Sequence, residues 1–126
     1  MIIDDNPDIT EMITKYLKMS GHSCEFANDG RNGLNMIKSK KYDVVLLDLA
    51  MPGFSGTDVI DVLVKEGTIR EQKVVIFTAS SKPNEELDEL TQKGVHSCLK
   101  KPIDPDSLVL YLESLNEKRK ETYHQS

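Results

Sequence analysis

The sequence predicts an α/β protein built on a parallel sheet with helices on both faces. Two apolar runs, VVLL at 44–47 and KVVIFT at 73–78, lack the alternation of a half-exposed strand and match strands covered on both sides. Between such runs, apolar residues recur at the three-to-four-residue spacing of amphipathic helices. The two patterns alternate strand–helix five times over with short connections. Right-handed crossovers turn that order into a doubly wound parallel sheet.

The elements follow in order. Ile2–Ile3 is a short apolar run, and Asn6-Pro7-Asp8 reads as N-cap, first helical residue and dipole-matched acid. Ile9, Met12, Ile13, Tyr16 and Leu17 then form one stripe of a first helix, which Gly21 stops. A second strand is expected around Ser23 to Ala27, and Asp29-Gly30 opens a second helix with Leu34, Met36 and Ile37 facing in. After the Val44–Leu47 strand, a third helix carries Val59, Ile60 and Leu63 and ends near Gly67. The KVVIFT strand leads to a fourth helix with Leu87 and Leu90, closed by Gly94, and to a weaker fifth strand from Val95 to Leu99. Asp104-Pro105-Asp106 repeats the earlier start signal and launches Leu108, Tyr111, Leu112 and Leu115. From about residue 117 the apolar stripe is lost and fraying is expected.

The 126 residues are read as a single domain over 1–126, long enough to bury a core without metal or disulfide staples. No apolar stretch approaches the roughly 20 residues that span a bilayer, and the first residues lack a signal peptide's basic and apolar regions. The reading is therefore cytoplasmic, with no membrane partner. A net charge of −5 argues against direct nucleic-acid binding, and Lys118-Arg119-Lys120 reads as a solvated helix end. Cys24 and Cys98 form no CxxC, and His22, His96 and His124 are scattered, so zinc is not indicated.

In a doubly wound sheet, ligands bind beyond the carboxyl ends of the strands. The first strand ends in Asp4-Asp5, the third in Asp48, the fourth in Thr78, and the fifth is followed by Lys100-Lys101-Pro102; only the second contributes nothing evident. Taken singly, each residue has a plain reading as a turn, cap, strand-end or surface residue. Independent plain readings do not predict that all of them meet at one edge. Three carboxylates brought together repel unless a cation intervenes. Lys101 offsets one charge, and an all-oxygen donor set points to Mg²⁺ for the rest. Metal, lysine and hydroxyl together are also what a phosphoryl group needs, with a central aspartate as nucleophile.

These residues resemble the receiver domains of two-component response regulators, the CheY-like family, over nearly the whole chain from Ile2 to about Leu115. The resemblance implies a flavodoxin-like (βα)5 sandwich with strand order 2-1-3-4-5. It implies that Asp48, in LLDLAMPG, is the phosphoacceptor and that Asp4, Asp5, Asp48 and the backbone carbonyl of Ala50 hold Mg²⁺. Thr78 and Lys101 would each bond a phosphoryl oxygen, and the Lys101–Pro102 bond would be cis. The donor would be a sensor histidine kinase or phosphotransfer protein. A downstream protein would read the face made by the fourth helix, fifth strand and fifth helix. Such a chain catalyses only its own phosphorylation and dephosphorylation.

This sequence departs from the family pattern in three places. Cys98 stands where an aromatic residue is usual, three positions before Lys101, so an aromatic rotamer swing is not the output signal. Only three residues precede the Asp pair, which suggests a clipped or misassigned start. Ala50 and Ser80, two past Asp48 and Thr78, are both small and imply little shielding of the acyl phosphate from water. Two other readings compete. A small Mg²⁺-dependent aspartyl-phosphate phosphatase tends to carry a second acid two residues after the nucleophile, where this chain has Ala50. A pseudo-receiver, a binding module that is never phosphorylated, has Cys98 alone in its favour. The strand order places Cys24 and Cys98 on opposite edges, about 19 Å apart over four spacings of about 4.8 Å. A disulfide needs Cα atoms within about 7 Å, so none is expected.

Overall fold

The computed structural model of the chain describes residues 1–79 and 84–125, with side chains described through 115 except at 84. Among the described residues five strands and five helices alternate. They are β1 (Ile2–Ile3), α1 (Pro7–Met19), β2 (Phe26–Ala27), α2 (Gly30–Ser39), β3 (Val44–Leu47), α3 (Gly56–Lys65), β4 (Lys73–Thr78), α4 (Asn84–Lys93), β5 (Ser97–Lys100) and α5 (Pro105–Gln125). All strands are parallel, in the order β2-β1-β3-β4-β5. This is the doubly wound parallel sheet expected from the sequence, in the flavodoxin-like strand order that the resemblance implied.

The sheet divides two apolar cores, because successive strand residues face opposite sides. Ile3, Val45, Leu47, Val74 and Ile76 pack with Ile37 of α2, Val59, Ile60 and Leu63 of α3, and Leu90 of α4. Ile2, Leu46, Val75 and Phe77 pack instead with Ile13 and Leu17 of α1 and with Leu108, Val109 and Leu115 of α5. The strands read as unbroken apolar runs because both of their faces are buried. No described helix is long and apolar enough to cross a membrane.

Local chemistry sets the helix starts. Asn6 accepts from the Asp8 N–H ahead of Pro7, Asp29 accepts from the Asn32 N–H at 2.7 Å, and Asp104 accepts from the Ser107 N–H at 3.2 Å. Ser55 and Asp58 form a reciprocal capping box at the start of α3, a signal not used in reading the sequence. At the far end of α4, Gly94 adopts φ +123, and the Val95 N–H returns to the Leu90 carbonyl at 3.1 Å.

Four details differ from the sequence reading. On α1, Met12 is 46% exposed, whereas Thr10 and Thr14 are buried beside Ile13 and Leu17. The buried stripe is thus 10, 13, 14, 17, and threonine methyls complete it while the hydroxyls find partners at Pro7 O (3.1 Å) and Cys24 Sγ (3.7 Å). β2 is paired only at Phe26–Ala27, because β1 offers it only Ile2 and Ile3. β5 begins at Ser97, since Val95 closes α4 and the ladder with β4 runs from Val75↔Ser97 to Thr78↔Lys100. The backbone of α5 stays helical to Gln125, beyond the expected loss of structure near residue 117. The Glu, Lys and Arg residues there are good helix formers without an apolar stripe.

Both cysteines are free thiols. Cys24 belongs to the α1/α5 core, and Cys98 packs against the α2/α3/α4 core, so the sheet itself stands between them. Intact mass measured without reductant is expected to equal that of the fully reduced chain. Loss of two protons per chain would contradict this topology.

Candidate functional site

The site lies at the carboxyl ends of β1, β3, β4 and β5, and main-chain bonds place its side chains. The Asp4 N–H bonds the Ala27 carbonyl at 3.1 Å, and the Asp48 N–H bonds the Ile3 carbonyl at 3.0 Å, so the β1 and β3 acids emerge side by side. The Lys101 N–H bonds the Thr78 carbonyl at 3.0 Å, which ties the β5 exit to the end of β4. The Lys101–Pro102 bond is cis.

Two of the three acids are buried. Asp4 is 1% exposed and Asp48 6%, while Asp5 lies open to solvent. An oxygen from each of the three falls within 4.8 Å of the others. Lys101 bridges the buried pair: its ammonium contacts Asp4 Oδ2 directly and lies 3.4 Å from Asp48 Oδ2. That ammonium also sits 5.3 Å from the centre of the Phe77 ring, a favourable cation–π distance. The remaining oxygens have main-chain donors, the Asn6 N–H on Asp4 Oδ1 (2.9 Å) and the Ala50 N–H on Asp48 Oδ1 (3.1 Å). Burying two carboxylates is tolerable only with pairing of this kind.

Close packing behind Asp48 holds it in place. A Cβ on Gly56 would lie 2.2 Å from the Asp48 carbonyl oxygen and 2.7 Å from Leu49 Cα, so α3 can approach only because residue 56 is glycine. Leu49 and Met51, on either side of Ala50, are buried in the adjacent core. The VVLL run, the buried Leu49 and Met51, and Gly56 together turn the strand end into a rigid mount.

Every sequence-predicted site residue except Ser80, which lies outside the described residues, thus falls at this rim. Asp4, Asp5, Asp48 and Lys101 form one cluster, and Thr78 is buried at the end of β4. Ala50 is exposed and engages Asp48 through its N–H. Cys98 is half-buried opposite Ile76, and burial pushes its thiol pKa up; it packs as a small apolar residue. The second strand, from which the sequence offered nothing, does contribute. Asn28 at its exit donates to the Asp4 carbonyl oxygen at 2.9 Å and to Thr10 Oγ1 at 2.9 Å. The signal was present in Asn28-Asp29-Gly30, where Asp29 serves as the cap and Asn28 is left to be explained.

The donor set is all oxygen, with one exposed member and a formal charge of −2 from three carboxylates and one ammonium. Such a set fits a hard divalent cation.

The response regulator receiver domain family matches residues 1–113. The chain belongs to that family. Receivers are the signalling domains of two-component response regulators. This one is 32% identical over 111 residues to protein PilH of Pseudomonas aeruginosa, covering 86% of this chain and 89% of PilH. Its fold matches the receiver domain of the Francisella response regulator 1452 with a TM-score of 0.81 at 26% identity, covering 94% of this chain and 95% of the other. It also matches the response regulator TrrA of Thermotoga maritima, solved in complex with Mg²⁺–BeF, with a TM-score of 0.74 at 28% identity over 90% of this chain and 95% of TrrA. The receiver spans about half the length of several other curated relatives, 46%, 50% and 53% of three of them.

Two outcomes are expected from this geometry. Lys101→Met leaves the cluster at −3, and a divalent cation is expected to bind the variant about tenfold more tightly in titration calorimetry. Gly56→Ala forces the α3 start away from Asp48 and is expected to lower stability by about 1–3 kcal/mol in urea unfolding.

Proposed function

We propose that this receiver is the phosphoacceptor switch of a cytoplasmic two-component phosphorelay, with Asp48 as the acceptor. The observation that carries the reading is the buried Asp4–Lys101–Asp48 arrangement with Asp5 beside it. Asp4, Asp5, Asp48 and the main-chain carbonyl of Ala50 would hold Mg²⁺. When bound, the metal supplies positive charge to the phosphoryl oxygens.

Asp48 attacks the phosphorus of a phosphohistidine on a sensor histidine kinase or phosphotransfer protein. A carboxylate O–P bond forms and the histidine N–P bond breaks. The electron pair returns to the imidazole nitrogen, which takes up a proton. The rigid mount of Asp48 keeps its carboxylate in place for that attack. The Thr78 hydroxyl and the Lys101 ammonium then bond phosphoryl oxygens. For Lys101 this means exchanging its contact with Asp4 for one on the new group.

The phosphoryl group adds roughly −1.5 to −2 charge and three acceptor oxygens. Movement of Lys101 and Thr78 toward it biases a pre-existing equilibrium in the face formed by α4, β5 and α5. A downstream protein partner reads that face. Cys98, packed as a core residue, leaves no aromatic ring to swing, so the readout runs through the positions of β5 and α5 themselves.

The test is intact mass after incubation with Mg²⁺ and acetyl phosphate or phosphoramidate, for wild type and Asp48→Asn. One phosphoryl group is expected on the wild type alone, and it should disappear when Mg²⁺ is withheld. No gain on the wild type would favour an unphosphorylated interaction module.

A further inference from the structure

We infer that Asn28 is a positioning residue for the divalent-cation site, acting through the Asp4–Asp5 peptide. The inference rests on the proposed Mg²⁺ reading and adds a residue from the one strand that seemed to bring nothing to the rim.

β1 has only two paired residues, so its ladder gives out where the acids begin. The last main-chain bond to a neighbouring strand is the one from the Asp4 N–H to Ala27. Beyond it, the Asp4 carbonyl oxygen is held by the Asn28 side chain at 2.9 Å. That oxygen belongs to the planar peptide unit running from Asp4 Cα to Asp5 Cα. Fixing it therefore fixes the plane from which the exposed Asp5 departs. Asp4 has its own anchors in Asn6 and Lys101. Asp5 lies between this plane and Asn6, whose N–H is held on Asp4 Oδ1.

Both donor positions of the Asn28 amide are used. Its amide has two protons, and the second goes to Thr10 Oγ1 at 2.9 Å. Thr10, almost fully buried on α1, passes its own proton to the Pro7 carbonyl at 3.1 Å. A carbonyl oxygen only accepts, so the amide nitrogen must face Asp4. The chain of bonds ties the β2 exit, the β1–α1 loop and the first turn of α1 into one unit. This is how outer-shell donors orient metal-binding carboxylates in general.

The experiment is Mg²⁺ titration calorimetry on the full 126-residue chain, with thermal melting by circular dichroism in parallel. Asn28→Ala removes both donors and is expected to bind Mg²⁺ about tenfold more weakly. Ile37→Val, in the last turn of α2 and far from the rim, controls for general loosening and is expected to keep wild-type affinity even where its melting temperature falls as far. Equal affinity in wild type and Asn28→Ala would overturn the inference alone. An equal loss of affinity in Ile37→Val would do the same, since the effect would then follow stability. A wild-type chain that takes up no Mg²⁺ would overturn the metal reading and this inference together.

Discussion

Two carboxylates buried side by side share one ammonium, and much of the molecule is arranged so that they can. An isolated ionised carboxylate in an apolar interior is prohibitive, and two of them repel as well as desolvate. Lys101 makes the burial tolerable by contacting both. It reaches them from the far side of β4, across the end of the strand that carries Thr78. The contact spans 97 residues of sequence and closes the β1, β3 and β5 exits over one another. The bridge is unequal: the ammonium is close to Asp4 and further from Asp48. Asp48 is thus the less committed partner, a useful property in a group whose proposed task is to acquire a new bond.

The scaffold delivers these groups through strands that are apolar on both faces. A one-residue slip of β3 against β1 would carry Asp48 away from Asp4 and would also turn Leu46 and Leu47 into the wrong cores. Register and site geometry are therefore the same constraint. The approach of α3 to the Asp48 carbonyl adds a second lock from behind.

Much of this was legible in the sequence. VVLL and KVVIFT announced doubly covered strands, and the Asn-Pro-Asp and Asp-Pro-Asp signals marked two helix starts where they occur. Strand-end residues then placed Asp4, Asp5, Asp48, Thr78 and Lys101 at one rim before any coordinates. What stayed hidden has common physical causes. Thr10 and Thr14 count as polar in a pattern search, yet their methyls fill the α1 face while neighbouring atoms satisfy their hydroxyls. Met12 counts as apolar, yet it sits well outside the buried stripe and is largely exposed. The extents of β2 and β5 depend on what the neighbouring strand offers, which no local window contains. Asn28 acts by a hydrogen bond to a main-chain oxygen 24 residues away, and a main-chain oxygen has no letter in a sequence.

The division of the interior into two cores has a consequence at the β5 edge. Leu90 seats α4 in one compartment, and Leu108, Val109 and Leu115 seat α5 in the other. β5 touches both, through Cys98 on one side and Leu99 on the other. The α4–β5–α5 face is therefore a seam between two separately packed bodies. A slide of either compartment against the sheet would therefore change the relief of that edge, as the offset of a vernier does, without disturbing the side chains on it.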